Sequence, residues 1–322
     1  MGNMIATRDA YGKALISLGK TNNNVVVLDA DLSKSTKTAE FSTTFPDRFF
    51  NMGIAEQNMM GVAAGFAAAG KVPFVSTFAM FATGRAFEII RNSIAYPKLN
   101  VKICATHAGI TVGEDGASHQ ALEDIACMRV IPNMTVIVPS DAVETDAVIH
   151  AISKFNGPVY VRLGRLAVPV INDSEAYSFE LGKGVTLKEG KDVTIFATGM
   201  MVSEALKASE TLKEHGINAG VVNIHTIKPI DKDLIIKKAK ETGAVITVEE
   251  HNIIGGLGSA VAEVLSENHP VIMKRIGIND SFGESGKPKD LLEKYKLTAS
   301  QIVESTKELM TNKRIFESKL RG

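Results

Sequence analysis

The chain has 322 residues, 45% hydrophobic and 22% charged, and its 36 basic and 36 acidic side chains leave no formal net charge. That length accommodates two domains of ordinary size, each with a sizeable core. The even balance of charge excludes the basic stripe of a nucleic-acid binder.

Taken in chain order, residues 1–13 carry Arg8, Asp9 and Lys13 and no apolar stretch, which is not the build of a secretory leader. The Met1-Gly2 start has Ala6 where a myristoylation signal needs Ser or Thr. A helix pattern over 7–18 leads to a strand run at 25–28. Further strand runs follow at 73–76, 101–105, 135–138 and 159–163, interleaved with helix patterns at 55–68, 84–95, 120–129 and 142–154. These strand runs are almost continuously apolar, as strands covered on both faces are. Asp141 is a helix N-cap, and Glu144 three residues on completes a capping box. The longest apolar run, 59–69, is too short and too rich in Gly and Ala to span a bilayer.

The pattern breaks over 167–190, around Pro169, several glycines and a polar stretch at 172–178, so the domain linker is placed there. Strand runs then resume at 193–197, 219–224, 244–248 and 271–276, with helix patterns at 203–215, 231–241, 258–267 and 300–310. The expectation is an α/β protein of two domains with mostly parallel sheets, 1–166 and 191–322. Cys104 and Cys127 form no CxxC pair and no disulfide framework, so a reducing cytoplasm is the expected compartment.

Three segments carry chemistry. In the first, Gly53-Ile54-Ala55-Glu56-Gln57-Asn58, a carboxylate stands at the mouth of an apolar helix. Burial and a helix N-terminus pull a carboxyl group's proton affinity in opposite directions. A group so placed can share a proton with a ligand nitrogen; a Glu that only stabilises the helix dipole is the alternative. In the second, Phe78 and Phe81 stand three apart after a strand. They can share a helical face and line a slot for a flat heterocycle, or simply pack in the core.

The third segment runs from Thr106 to Gln120, past the end of another strand, where ligands of open α/β sheets bind. It places His107, His119, Glu114 and Asp115 within thirteen residues, among glycines. That set suits hydrogen bonding to a polyhydroxylated substrate and proton transfer near neutral pH; a capped structural loop is the alternative. It lacks the HExxH spacing of a metal site and the GxSxG of a nucleophile elbow. Gly255-Gly256-Leu257-Gly258 opens a helix, but Val261 stands where a dinucleotide fingerprint needs its third glycine. His251 is expected to be structural.

Together these segments resemble the transketolase family, over essentially the whole chain and in the family's order and spacing. The match covers only the family's pyrimidine-binding and C-terminal domains; the GDG…N element that carries metal and diphosphate is absent. The resemblance therefore implies the C-terminal subunit of a split transketolase. Its expected partner is an N-terminal subunit carrying the diphosphate-binding domain, in a two-plus-two heterotetramer. The implied cofactors are thiamine diphosphate and Mg2+ or Ca2+, with the metal ligands on the partner.

The resemblance assigns roles residue by residue. Glu56 corresponds to the glutamate that protonates the aminopyrimidine ring, whose imino tautomer then deprotonates the thiazolium so that the ylid attacks a ketose. Phe78 and Phe81 correspond to the aromatic pocket of the pyrimidine, and Asp31 and Leu32 to the pair bordering that ring. His107 and His119 correspond to histidines that bind sugar oxygens, and Asp115 to the carboxylate reading the hydroxyl beside the carbonyl. Arg8, Ser35 and Arg165 correspond to groups holding the sugar phosphate, with Arg162 a near competitor for Arg165. Two departures stand out. Gly84-Arg85 replaces a Tyr common in the family, and Ala108-Gly109 replaces Asp-Ser.

The implied reaction is ketol transfer from xylulose 5-phosphate to an aldose phosphate, in the pentose phosphate pathway. The rivals are a 2-oxo-acid dehydrogenase beta subunit, a 1-deoxyxylulose-5-phosphate synthase-like enzyme, and a noncatalytic regulatory subunit. The first has no need of the Arg8/Ser35/Arg165 set. The second is usually one long chain. A scaffold has no use for Glu56, Asp115 and both histidines.

Overall fold

A computed structural model describes residues 3–321, with side chains described to residue 315; Met1 and Gly2, on which the reading of the N-terminal start partly rests, lie outside them. The first domain is built on a seven-stranded sheet. In chain order its strands are β2 (Val25–Asp29), β3 (Phe49–Asn51), β4 (Val72–Ser76), β5 (Lys102–Ala105), β6 (Thr135–Ile137) and β7 (Val159–Arg162), joined by β12 (Thr226–Lys228) from the second domain. The spatial order is β12-β6-β7-β5-β4-β2-β3, all parallel except β12. β2, β4, β5, β6 and β7 are buried at every residue, the covered state that their apolar runs demand.

The second domain carries a five-stranded sheet. Its strands are β9 (Val185–Lys188), β10 (Val193–Ala197), β11 (Ala219–Asn223), β13 (Ala244–Asn252) and β14 (Ile272–Ile278), ordered β14-β13-β10-β11-β9. Only β9 runs antiparallel. The fold is therefore two α/β domains with mostly parallel sheets.

The 167–190 stretch is not free of regular structure. Its start, β8 (Ala167–Pro169), pairs antiparallel with β1 (Met4–Ala6), and its end supplies β9. The two domains are also sewn together. β12 adds to the outer edge of β6, and the Val138 amide donates to the His225 carbonyl at 2.7 Å. One apolar core runs through both, with Val136, Val138 and Tyr160 packed into the same cluster as Phe196, Val222 and Leu257. Each such large side chain contributes roughly 1.5–3 kcal/mol when fully buried.

The helix of Ala142–Lys154 starts as its capping residues predict, with the Asp141 carboxylate accepting from the Glu144 amide at 2.8 Å. The Glu144 carboxylate reaches back one residue further than a capping box, to the Ser140 amide. Two helix expectations change. The 120–129 pattern is helical only over Asp124–Arg129, because the Gln120 side chain is engaged elsewhere. The 84–95 pattern is not a regular α-helix: it opens into wide π turns over Phe81–Arg85 and Ile90–Ala95, around a short α segment. Among the described residues, no helix is long and apolar enough to cross a membrane.

Candidate active site

Five neighbouring parallel strands, β3-β2-β4-β5-β7, deliver almost every candidate residue past their C-terminal ends. β3 runs on to Glu56, β2 to Asp31, Leu32 and Ser35, β4 to Phe78 and Phe81, β5 to the 107–119 loop, and β7 to Arg165. Arg8 joins from the first turn of the helix Thr7–Thr21. The carboxyl edge of an open α/β sheet is where such folds bind ligands. Close packing keeps the Arg8 helix near the 33–38 segment: a Cβ on Gly12 would lie 2.6 Å from the Lys37 carbonyl oxygen, so only glycine fits.

Glu56 is the first residue of the helix Glu56–Ala68 and only 1% exposed. Arg85 Nη1 donates to its Oε2 at 2.8 Å, while Oε1 has no hydrogen-bond partner among the described residues. The same guanidinium lies 4.8 Å from the centre of the Phe81 ring. Phe81 stacks with Phe78 at 5.8 Å, and Phe78 stacks with the His107 imidazole at 3.9 Å. His119 stands edge-on to Phe81 at 5.3 Å. Both phenylalanines and both histidines therefore form one continuous cluster, which Arg85 joins to Glu56. The face beside it is open, and neighbouring Ile54 is 78% exposed.

β4–β5 pairing continues one step past the strands through the bridge Phe78–Thr106, which sets His107 beside Phe78. His107 holds a positive φ of 55°. Arg8 Nη1 donates to its Nε2 at 3.3 Å, and since Arg can only donate, the ring proton sits on Nδ1, which donates to Thr106 Oγ1 at 2.9 Å. Burial, then the charges of Arg8 and Arg165, push the imidazole's pKa down to about 3. At pH 7 it is therefore a neutral hydrogen-bonding ring.

Arg8 also donates to the Ser35 backbone oxygen at 2.9 Å, and its Nε is buried with no partner among the described residues. Arg165 donates to the Val112 carbonyl and reaches Glu114 at 3.2 Å. Its competitor Arg162 is buried and committed elsewhere: Nε bonds Asp124 at 2.8 Å and Nη2 the Glu250 carbonyl at 2.9 Å. Asp115 is exposed, and its side chain has no hydrogen bond among the described residues. Asp31 and Leu32 sit at the same sheet edge, but their hydrogen bonds run to Asn51 and Asp29 rather than to the ring cluster.

The sequence reading missed what the second domain does here. The Glu250 carboxylate accepts the Thr111 amide at 2.7 Å. Buried Gln120 donates to the carbonyls of Ile110, Gly113 and Glu284. The loop between the two histidines is thereby pinned from β13 and from the loop after β14. Gly109 was the available signal, since it holds φ 87° and a Cβ there would lie 2.3 Å from the Glu250 carboxyl carbon. The glycines at 255–258 serve the second domain itself: the Leu257 and Gly258 amides donate to the Glu249 carboxyl group at 2.7 and 2.8 Å, so that helix start is already occupied by a side chain of this chain. His251 is fully buried and hydrogen-bonded to Asn252 and Ala126 backbone, as a structural histidine.

The residues present fit an aminopyrimidine. One carboxylate oxygen of Glu56 lacks a partner, two stacked aromatic rings stand beside it, and the buried Thr77 hydroxyl is also unpartnered. Among the described residues, no group of three or more His, Cys, Asp or Glu side chains could hold a metal ion.

Residues 3–170 match the family described as Transketolase, pyrimidine binding domain, and residues 182–302 the one described as Transketolase, C-terminal domain. The putative transketolase C-terminal section of Methanocaldococcus jannaschii is 59% identical over 306 residues, covering 94% of this chain and 96% of that protein. The 6-deoxy-6-sulfo-D-fructose transketolase subunit of a Clostridium species is 46% identical, covering 95% of each chain. A solved structure described as a split gene transketolase, inactive beta4 tetramer, superposes with a TM-score of 0.89 at 58% identity, covering 97% of this chain and 100% of that one. Sheet edge, ring cluster and end-to-end similarity agree: this chain belongs to the transketolase family, as the C-terminal section of a split transketolase.

Proposed function

We propose that this chain is the half of a two-chain transketolase that seats the pyrimidine of thiamine diphosphate and grips the sugar. A separate N-terminal subunit supplies the diphosphate site and its Mg2+ or Ca2+ ligands. The observation that carries the reading is Glu56: a carboxyl group 1% exposed, at a helix mouth, beside paired aromatic faces on an otherwise open surface. An open face suits a site that a second chain closes. When bound, the coenzyme would supply the nucleophilic carbon that carries the ketol unit.

In this reading Glu56 holds and returns a proton at the pyrimidine ring nitrogen, and Phe78 and Phe81 orient that ring. His107 and His119 donate to or accept from sugar oxygens, Asp115 reads the hydroxyl next to the carbonyl, and Asp31 and Leu32 border the ring. Arg8 offers its unpartnered Nε to the sugar's terminal anion, with Ser35 and Arg165 beside it. The donor is xylulose 5-phosphate. The sulfo-sugar named for the Clostridium relative also bears a terminal anion, which a guanidinium accommodates equally. On this reading the enzyme is a two-plus-two heterotetramer of the cytoplasm, where Cys104 and Cys127 stay reduced as free thiols.

The test is ketol transfer from xylulose 5-phosphate to ribose 5-phosphate, with and without the partner subunit, coenzyme and divalent metal. Activity only in the full mixture is expected. Turnover of pyruvate with a lipoyl acceptor, or transfer by the chain alone, overturns the reading.

A further inference from the structure

The two features that an aminopyrimidine would use, the Glu56 carboxylate and the Phe81 ring face, are both held by one side chain, Arg85. A guanidinium is flat, cationic and rich in N–H donors, and it both stacks on rings and forks onto carboxylates. It thus copies the shape and the donor character of a protonated aminopyrimidine. Arg85 reaches this place from the wide π turn Phe81–Arg85, which shifts the side chains after Phe81 relative to an α-helix. The turn is tied to the Glu56 helix, because Gln57 Nε2 donates to the Arg85 carbonyl at 3.1 Å. Among the described residues the guanidinium has no hydrogen-bond partner but Glu56, and the side chain is 48% exposed, so only that ion pair and the Phe81 ring face hold it in the slot.

We propose that Arg85 is an internal placeholder for the coenzyme ring. It keeps the Glu56 carboxylate paired and the Phe81 face covered while the chain is unloaded, and it swings to the solvent side when thiamine diphosphate arrives. This rests on the proposed function. Because the guanidinium covers the Phe81 face on which the ring would lie and neutralises the carboxylate the ring would bond, the placeholder competes with the coenzyme. The apparent affinity then falls with the fraction of molecules in which the slot is free.

The experiment is calorimetric titration of thiamine diphosphate, with divalent metal, into the complex of this chain with its partner subunit. Wild type is compared with Arg85→Gln and Arg85→Ala. Both variants are expected to bind about threefold to fivefold tighter, the range of a part-exposed ion pair, with faster association by stopped flow. Equal or weaker binding by both variants overturns the placeholder while leaving the proposed function standing. Failure of the wild-type complex to bind the coenzyme at all overturns both. A crystal structure of the loaded complex gives a second readout. Arg85 clear of Glu56 is expected, and the 2.8 Å ion pair retained beside the bound ring overturns the proposal.

Discussion

The Glu250 carboxylate, carried by β13 of the second domain, accepts the Thr111 amide of the first domain at 2.7 Å. The contact lies midway along the loop whose ends bear His107 and His119, and Gly109 lacks the side chain that would collide with it. Glu250 is hydrogen-bonded to neither histidine, so it acts as a positioning residue, through which the second domain holds the loop that joins the two imidazoles.

Glu250→Ala in the partner-completed complex is therefore expected to raise KM for the donor sugar phosphate about tenfold, the equivalent of one hydrogen bond to a charged group. Glu250→Gln keeps an acceptor oxygen and is expected to recover most of that loss. Steady-state kinetics with separate titration of the coenzyme checks this. A loss confined to coenzyme affinity or to thermal stability contradicts it.

The buried pair of Arg162 and Asp124 is structural. Asp124 Oδ2 accepts from Arg162 Nε at 2.8 Å and from the Tyr160 hydroxyl at 2.7 Å. Arg162→Met leaves that carboxylate buried without its cation and is expected to cost about 3–5 kcal/mol. The double variant Arg162→Met, Asp124→Leu is expected to regain much of it. Denaturant midpoints measure both, and a single-variant cost below about 1 kcal/mol contradicts the assignment.

His107 makes a pH prediction whose sign is fixed. Its pKa is about 3 in the folded chain and 6.5 when unperturbed, so between those values the unfolded chain binds the extra proton. Stability contributed through His107 rises with pH across that window and is complete above about 6.5. Glu249, raised to about 7 by burial, acts in the opposite direction from about 4.5 upward. The difference between wild type and variant isolates the histidine. His107→Gln is expected to lower the slope of unfolding free energy against pH by up to ~1.4 kcal/mol per pH unit between pH 4 and 6. Parallel curves contradict this.

Much of the fold was legible because buried parallel strands are apolar on both faces, as at 25–28 and 159–163. β3 and β12 were not legible. Each has three residues, too few for a period, and β12 pairs with β6 of the other domain, which no local pattern can reveal. The helix expected at 120–129 lost its first turn because three carbonyls claim the Gln120 side chain. At the site, the three motifs announced which residue types would gather. The pairing of Arg85 with Glu56, 29 positions apart, showed in the sequence only as a departure from the family's Tyr.

The claim on which the rest depends is that the Glu56 carboxyl group moves a proton at the pyrimidine ring. Glu56→Gln, matched in size but unable to ionise, measures it most directly in the partner-completed complex. The account predicts a fall in kcat of at least about a hundredfold, the lower range for a lost acid–base group, with the circular dichroism spectrum and the coenzyme stoichiometry unchanged. A kcat within about threefold of wild type would contradict it.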